Sequence, residues 1–367
     1  MSKPRAKQIP KRRAVKSPQP KRSRRLWLNV GALAVSVAAL GALAVLTGTP
    51  IIAPRVPVTP QPVASTPPPS PIVHRVDALT PKTLAELLTL PPDQLERVDI
   101  GLMNLLCAEG LPGSEGADIP ALLGIIDKWA EFVALETARY YHQFVRDPAD
   151  YENSEPYFRM LVLLTALQRD LGVHYNLAKV NDPDFGNAKD QFIHGMVNSD
   201  NGGTCVSMPV LYVAVGRRLG YPMKLVLARE HVFCRWDDGK GTVKNFEGAG
   251  LGLTSYPDEH YREWPHPISD EELKHREFLV SLTPAEELSV FLAARGHCLS
   301  DHRRFKEARE CYVQAARLFP SAGAYPYFVH RTDLAMNPPI RVQPGASRNP
   351  WANFGMPDVP MPGRRGP

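Results

Sequence analysis

The stretch from 198 to 247 constrains this chain most, because its pattern changes character several times within about fifty residues. A turn-rich loop at 198–204 (Asn-Ser-Asp-Asn-Gly-Gly-Thr) gives way to Val206, Val210, Val213 and Ala214 at helical spacing, ended by Gly220. The apolar run 225–228 reads as a buried strand. Residues 231–236 read as a second strand, and 242–247 as its return after the hairpin loop Asp237-Asp238-Gly239-Lys240-Gly241. A loop, a helix, a strand and a hairpin in that order predict an α+β fold in which the helix packs on a small antiparallel sheet.

Helical patterns flank this segment. Leu84, Leu87, Leu88 and Leu90 follow Thr80-Pro81. Leu122, Leu123, Ile126, Trp129, Phe132 and Val133 follow Ile119-Pro120, and Phe158, Leu161, Val162, Leu164 and Leu167 follow Pro156. These stripes are read as core, so residues 77–280 are expected as one domain with N-terminal helices. Helices resume after Trp264, and 281–335 is expected to be helical. The tail 336–367 is rich in Pro, Gly and Arg and is expected to be disordered.

The overall charge of +5 is misleading. Residues 1–76 hold 13 Lys and Arg and no acid, so the rest carries 30 bases against 38 acids, a net of −8. An acidic body argues against nucleic acid as a partner. Residues 1–25 read as a disordered basic tail. Residues 26–47 form a charge-free run of 22, long enough at about 1.5 Å per residue to cross a bilayer core. With the bases ahead of it, the positive-inside rule predicts a single-pass membrane anchor, a cytoplasmic N-terminus and an extracytoplasmic catalytic domain. A cleaved signal peptide ending near Ala42-Leu43-Ala44 is the competing reading. Residues 48–76, dense in proline, are expected to form a stiff stalk.

Cys205 sits where the glycine loop meets the helix, and His231 opens the second strand. A thiol attacks a carbonyl as thiolate, which an imidazole and a helix N-terminus favour. Gly202, Gly203 and Thr204 are the expected oxyanion and substrate loop, since glycines admit a substrate backbone and nearby N–H groups can donate. Alternation places His231, Phe233 and Arg235 on one face of the strand and Val232, Cys234 and Trp236 on the other. In the return strand Asn245 and Glu247 share a face, and either can orient the imidazole. A zinc site from Cys205, His231 and Cys234 is the other chemical reading, against which alternation turns Cys234 away. Neither a resident metal nor a cofactor is required by these residues. Five scattered cysteines (107, 205, 234, 298, 311) form no disulfide framework, although a Cys298–Cys311 bond is conceivable in an oxidising compartment.

The segments GGTCVSMPVLYVAVGRRLGYP, EHVFCRWDD and KNFEGAG together resemble the transglutaminase-like superfamily of papain-type cysteine enzymes. The likeness covers roughly 127–320, and its best match is a bacterial branch followed by tetratricopeptide-like helices. It implies a papain/transglutaminase-like core and a Cys-His-acid triad of Cys205, His231 and Glu247, with Asn245 the alternative third member. Glu247 stands where the family carries Asp, and Glu230 stands where a small residue is usual. Leu292, Gly296, Leu299, Phe305, Ala308, Tyr312, Ala315 and Pro320 match the spacing of one tetratricopeptide-like repeat, a helical hairpin expected to pack on the catalytic domain. The implied activity is acyl transfer on amide or peptide bonds through a thioester, by hydrolysis or transamidation, with a protein or peptide as substrate. A catalytically inactive module that binds a protein partner at the cell envelope is the alternative.

Overall fold

The computed structural model describes residues 77–180, 184–250 and 252–338. In chain order the helices are α1 (Leu84–Thr89), α2 (Ile100–Ala108), α3 (Ile119–Arg146), α4 (Glu155–Thr165), α5 (Ala188–Gln191) and α6 (Met208–Arg218). Strands β1 (Met223–Ala228), β2 (His231–Asp237) and β3 (Val243–Phe246) follow. Helices α7 (Asp258–Glu263), α8 (Asp270–Lys274), α9 (Pro284–Asp301), α10 (Phe305–Leu318) and α11 (Ala324–Met336) come last. The protein is therefore a mixture of helices with one small antiparallel sheet.

The sequence MPVLYVAVGRR of α6 is apolar almost all round, and a helix of that kind must be covered on every side. Every residue of it except Arg217 is buried, between β1 and β2 on one side and α2, α3 and α4 on the other. Arg218 closes its C-terminal end with ion pairs to Asp99 (2.8 Å) and Asp127 (2.6 Å), which tie it to the start of α2 and the first turns of α3. Asp99, Asp118 and Ser154 cap α2, α3 and α4 through their side chains.

The sheet has the order β1-β2-β3, both pairs antiparallel. Ala228 pairs with His231 across a two-residue turn, and Asp237 pairs with Val243 across a five-residue loop. Asp238 holds that loop by accepting from the N–H groups of Lys240 (2.8 Å) and Thr242 (3.0 Å). In the tight turn Glu230 adopts a φ of +61°, the left-handed region that suits glycine, which gives a physical reason for a small residue at this position. One face of the sheet, with Val232, Cys234, Leu225 and Phe246, joins the main core. The other, with Val226, Ala228 and Phe233, forms a second cluster with Tyr261 and Ile268.

Three helices, rather than a hairpin of two, make up the C-terminal part. Gly296 lets α9 and α10 close up, since a Cβ there would lie 2.5 Å from the Tyr312 ring. Helix α9 is fixed to the rest by the fully buried Glu287, whose Oε1 and Oε2 accept from Arg217 Nη2 (2.6 Å) and Nη1 (2.9 Å). Cys298 and Cys311 are both free thiols.

The membrane assignment is corrected. Among the described residues no helix is long and apolar enough to cross a membrane. The expected anchor at 26–47 lies outside the described residues, as do the basic tail, the stalk and most of the C-terminal tail. The described chain supplies no spanning segment, so the single-pass, extracytoplasmic placement is withdrawn.

Candidate active site

Cys205 lies in the turn just ahead of α6, which begins at Met208 with Pro209 in its first turn, where the missing N–H breaks no helical bond. Thr204 N–H donates to Ser207 Oγ (3.0 Å), Val206 N–H donates to Thr204 Oγ1 (3.3 Å), and the Thr204 hydroxyl donates to the Asp190 carbonyl (2.7 Å). Asp190 is wholly buried. Its Oδ1 accepts from Asn201 Nδ2 (2.9 Å), and its Oδ2 lies 3.2 Å from Lys179 Nζ. The turn carrying the cysteine is therefore anchored at 201 and 204. Cys205 is half-buried, whereas Cys107, Cys234, Cys298 and Cys311 are buried.

The glycines of this loop do different work from the expected substrate contact. Gly202 has a φ of +76° and faces the His174 ring, 3.0 Å from where a Cβ would sit. Gly203 faces Met196 Sδ and Met208 Cγ, each 2.4 Å from a Cβ position, so its missing side chain admits the protein's own core. Thr204 is buried with its hydroxyl engaged. The expectation that Gly202, Gly203 and Thr204 open toward a substrate is thus corrected: they pack inward and fix the position of Cys205.

His231, the first residue of β2, is buried. Its Nε2 stands 2.7 Å from Glu247 Oε2, and the Cys205 side chain lies within hydrogen-bonding reach of the same ring. With Nε2 taken by the carboxylate, Nδ1 is the ring nitrogen left for the thiol. Glu247 directly follows β3 and is held there by its N–H to the Thr254 carbonyl (2.8 Å). In the register of Arg235 opposite Asn245, Glu247 is a same-face diagonal neighbour of His231, a distance its extra methylene spans. The carboxylate also accepts from Ala249 N–H (2.9 Å) and the Tyr261 hydroxyl (3.3 Å). Asn245 is elsewhere, accepting from Arg235 Nε (2.7 Å) and donating to Asp258 Oδ1 (2.7 Å), so Glu247 is the residue at the imidazole.

Burial acts to lower the basicity of His231, but the Glu247 carboxylate and the adjacent Cys205 outweigh it and hold the ring up at about 10. Burial would raise the Glu247 carboxyl. The His231 charge and hydrogen bond, with the Ala249 and Tyr261 donors, carry it below its ordinary value instead. Imidazolium and carboxylate are therefore both charged at neutral pH. The edge of Trp264 meets the His231 ring at 4.8 Å between centroids, and Tyr261 stacks on Phe233 at 3.8 Å. These aromatics keep water from the ion pair. Sequence reading assigned no role to Trp264 or Tyr261, because residues 258–264 show no pattern that relates them to β2.

Cys234 turns away, its thiol donating to the Pro209 carbonyl at 3.3 Å on the core face of the sheet. Cys205, His231 and Cys234 thus do not converge. Among the described residues no group of three or more His, Cys, Asp or Glu side chains is placed to hold a metal ion. What does converge is a half-exposed cysteine sulfur, a ring that holds its proton strongly and a buried carboxylate. That set can keep the thiol's proton on the ring and deliver it to a leaving group. No protein-family model, no curated protein and no solved structure matches this chain.

Proposed function

We propose that this protein is a cysteine acyl-transfer enzyme acting on amide or peptide bonds, built on a papain/transglutaminase-like core. The observation that carries the proposal is the continuous line from the Cys205 thiol through the His231 ring to Glu247, closed by the 2.7 Å contact. With its proton already held on His231, Cys205 attacks the carbonyl carbon as the thiolate. The tetrahedral intermediate collapses, the amine leaves with the proton held by His231, and a thioester remains on Cys205. Water or a second amine then releases the acyl group, giving hydrolysis or transamidation. Glu247 keeps the ring oriented and stabilises its positive charge throughout.

The test is capture of the acyl-enzyme. Incubation with an activated ester, p-nitrophenyl acetate, followed by intact-mass and peptide analysis should place one acetyl group on Cys205. The adduct should vanish in Cys205→Ala and fall sharply in His231→Ala. Undiminished acylation in Cys205→Ala, or its loss on substituting another cysteine, sinks the assignment. A Cys205 that is alkylated by iodoacetamide but never acylated returns the site to a binding role.

A further inference from the structure

Glu230 is held where glycine is favoured, at a φ of +61° in the two-residue turn between β1 and β2, directly ahead of His231. Strain of this kind persists only where surrounding contacts impose it, and it gathers at functional sites. The contact made from this position is with His266: Glu230 Oε2 lies 3.2 Å from His266 Nε2. That nitrogen is buried and makes no hydrogen bond among the described residues, so the carboxylate is its charged neighbour. In the same turn Arg229 donates from Nε to the Pro267 carbonyl (2.9 Å) and from Nη2 to Glu272 Oε2 (2.5 Å). Two successive residues of the turn therefore grip the segment after α7 at 266, 267 and 272.

That segment needs side chains to place it. Pro265 and Pro267 have no N–H to donate, and the backbone bonds at either end run from Trp264 N–H to the His260 carbonyl (2.9 Å) and from Ile268 N–H to the Arg262 carbonyl (2.8 Å). At its start the half-buried Trp264 meets the His231 ring at 4.8 Å between centroids. Neighbours 230 and 231 thus touch residues 266 and 264. A partly exposed ion pair adds little stability, so it does not by itself account for a glutamate at this φ. We infer that Glu230 is a positioning residue, which through His266 holds Trp264 against the His231 ring and keeps water from the ring and Glu247. The inference deepens the acyl-transfer reading above and takes its catalytic meaning from it. Water admitted beside the ring raises the local dielectric and weakens the pull of its charge on the Cys205 sulfur. The thiolate is then less favoured, and the pH at which it forms moves up.

The experiment follows alkylation of Cys205 by iodoacetamide against pH in the full chain, site-resolved by mass spectrometry, together with the urea midpoint of unfolding. Glu230→Gly suits the backbone better and loses the carboxylate. Its urea midpoint is expected to hold or rise, while the pH midpoint of alkylation moves up by about half a unit or more. Glu230→Asn, which also tolerates this φ but is a methylene shorter, should shift the pH midpoint in the same way. Trp264→Ala should shift it in the same direction, and adding Glu230→Gly to that variant should move it no further. An unmoved pH midpoint in both Glu230 variants overturns the inference. A shift that adds in full to that of Trp264→Ala overturns it too, because Glu230 then acts by a route other than Trp264. Alkylation requires no acyl transfer, so a wild-type protein that is never acylated removes the parent reading and leaves this measurement intact.

Discussion

His231 and Glu247, sixteen residues apart in the chain, are joined by a 2.7 Å contact between Nε2 and Oε2 that fixes which ring nitrogen faces Cys205. The carboxylate acts by charge as well as by position. Glu247→Gln retains a polar group of the same size and removes the charge. Acylation of Cys205 is expected to fall by about 10²–10⁴-fold, measured as nitrophenolate release. Asn245→Ala, which disturbs the Arg235, Asp258 and Tyr256 contacts, should leave acylation within about tenfold and register mainly as lost stability.

The same pair makes stability depend on pH. His231 is raised in the folded state, so its contribution is fully present below its ordinary value of 6.5 and fades as pH rises through about 10. Glu247 is lowered, so its share is present above its ordinary value of 4.5 and is lost as pH falls through the depressed folded value. Between those ordinary values both contributions are intact. Chemical unfolding at pH 6 and pH 9.5 should show wild type losing stability at the alkaline end. In Glu247→Gln that alkaline loss should shrink, because the ring no longer has a carboxylate to hold its proton. Equal pH slopes for the two proteins would contradict the buried ion pair.

Only one thiol should react in the native protein. Cys107, Cys234, Cys298 and Cys311 are buried, and burial pushes their thiols up, whereas Cys205 is half-exposed beside an imidazolium. Native titration with iodoacetamide at pH 7 should modify a single cysteine, and denaturation should release the other four. His231→Ala should slow that single modification by about tenfold or more. Rapid native labelling of two thiols would show that the core is open where it should be closed.

Gly248 is the most demanding glycine near the site. A Cβ there would lie 2.4 Å from the Tyr212 ring, which is held by Gln168 Nε2 (3.0 Å) and donates to the Gly248 carbonyl (3.3 Å). Gly248→Ala is expected to cost ~1–3 kcal/mol and, by moving the neighbouring Glu247, to lower acylation as well. Gly203→Ala meets two flexible methionines and should cost less. Urea unfolding of both variants ranks them.

The C-terminal helices should melt together with the site. Arg217→Met leaves Glu287 fully buried without its partner, a change expected to cost ~3–5 kcal/mol, toward the lower end because Arg217 is partly exposed. Replacing both residues by Met should recover much of that loss. Helical content and Cys205 reactivity should disappear at one denaturant midpoint. Two separate midpoints would mean that α9–α11 fold on their own.

What the sequence made legible was local. Period-two alternation separated His231 from Cys234, and the Asp-Gly loop fixed the hairpin, because both depend only on neighbours along the chain. The choice between Glu247 and Asn245 was not legible, since it turns on the register of β3 and on where that strand stops. Gly202 and Gly203 were misread because what a missing Cβ faces is decided by distant residues, here His174, Met196 and Met208. Helix α11 lies in the stretch expected to be helical but was not separated as a third helix, because Tyr325-Pro326 interrupts its first turn and its apolar residues keep no single stripe.

Strand β2 carries a buried imidazole on one face at its start and, three positions on, a thiol on the opposite, core-facing side, with Ala228 set opposite His231 by a turn of only two residues. A slip of β2 by a single step would bury the ring in the α6 interface and turn Cys234 toward Glu247, exchanging one sulfur chemistry for another without changing the composition of the sheet. Recovered reactivity at Cys205 is therefore a direct count of the molecules that have zipped their hairpin in the correct frame, and refolding yield can be read from it.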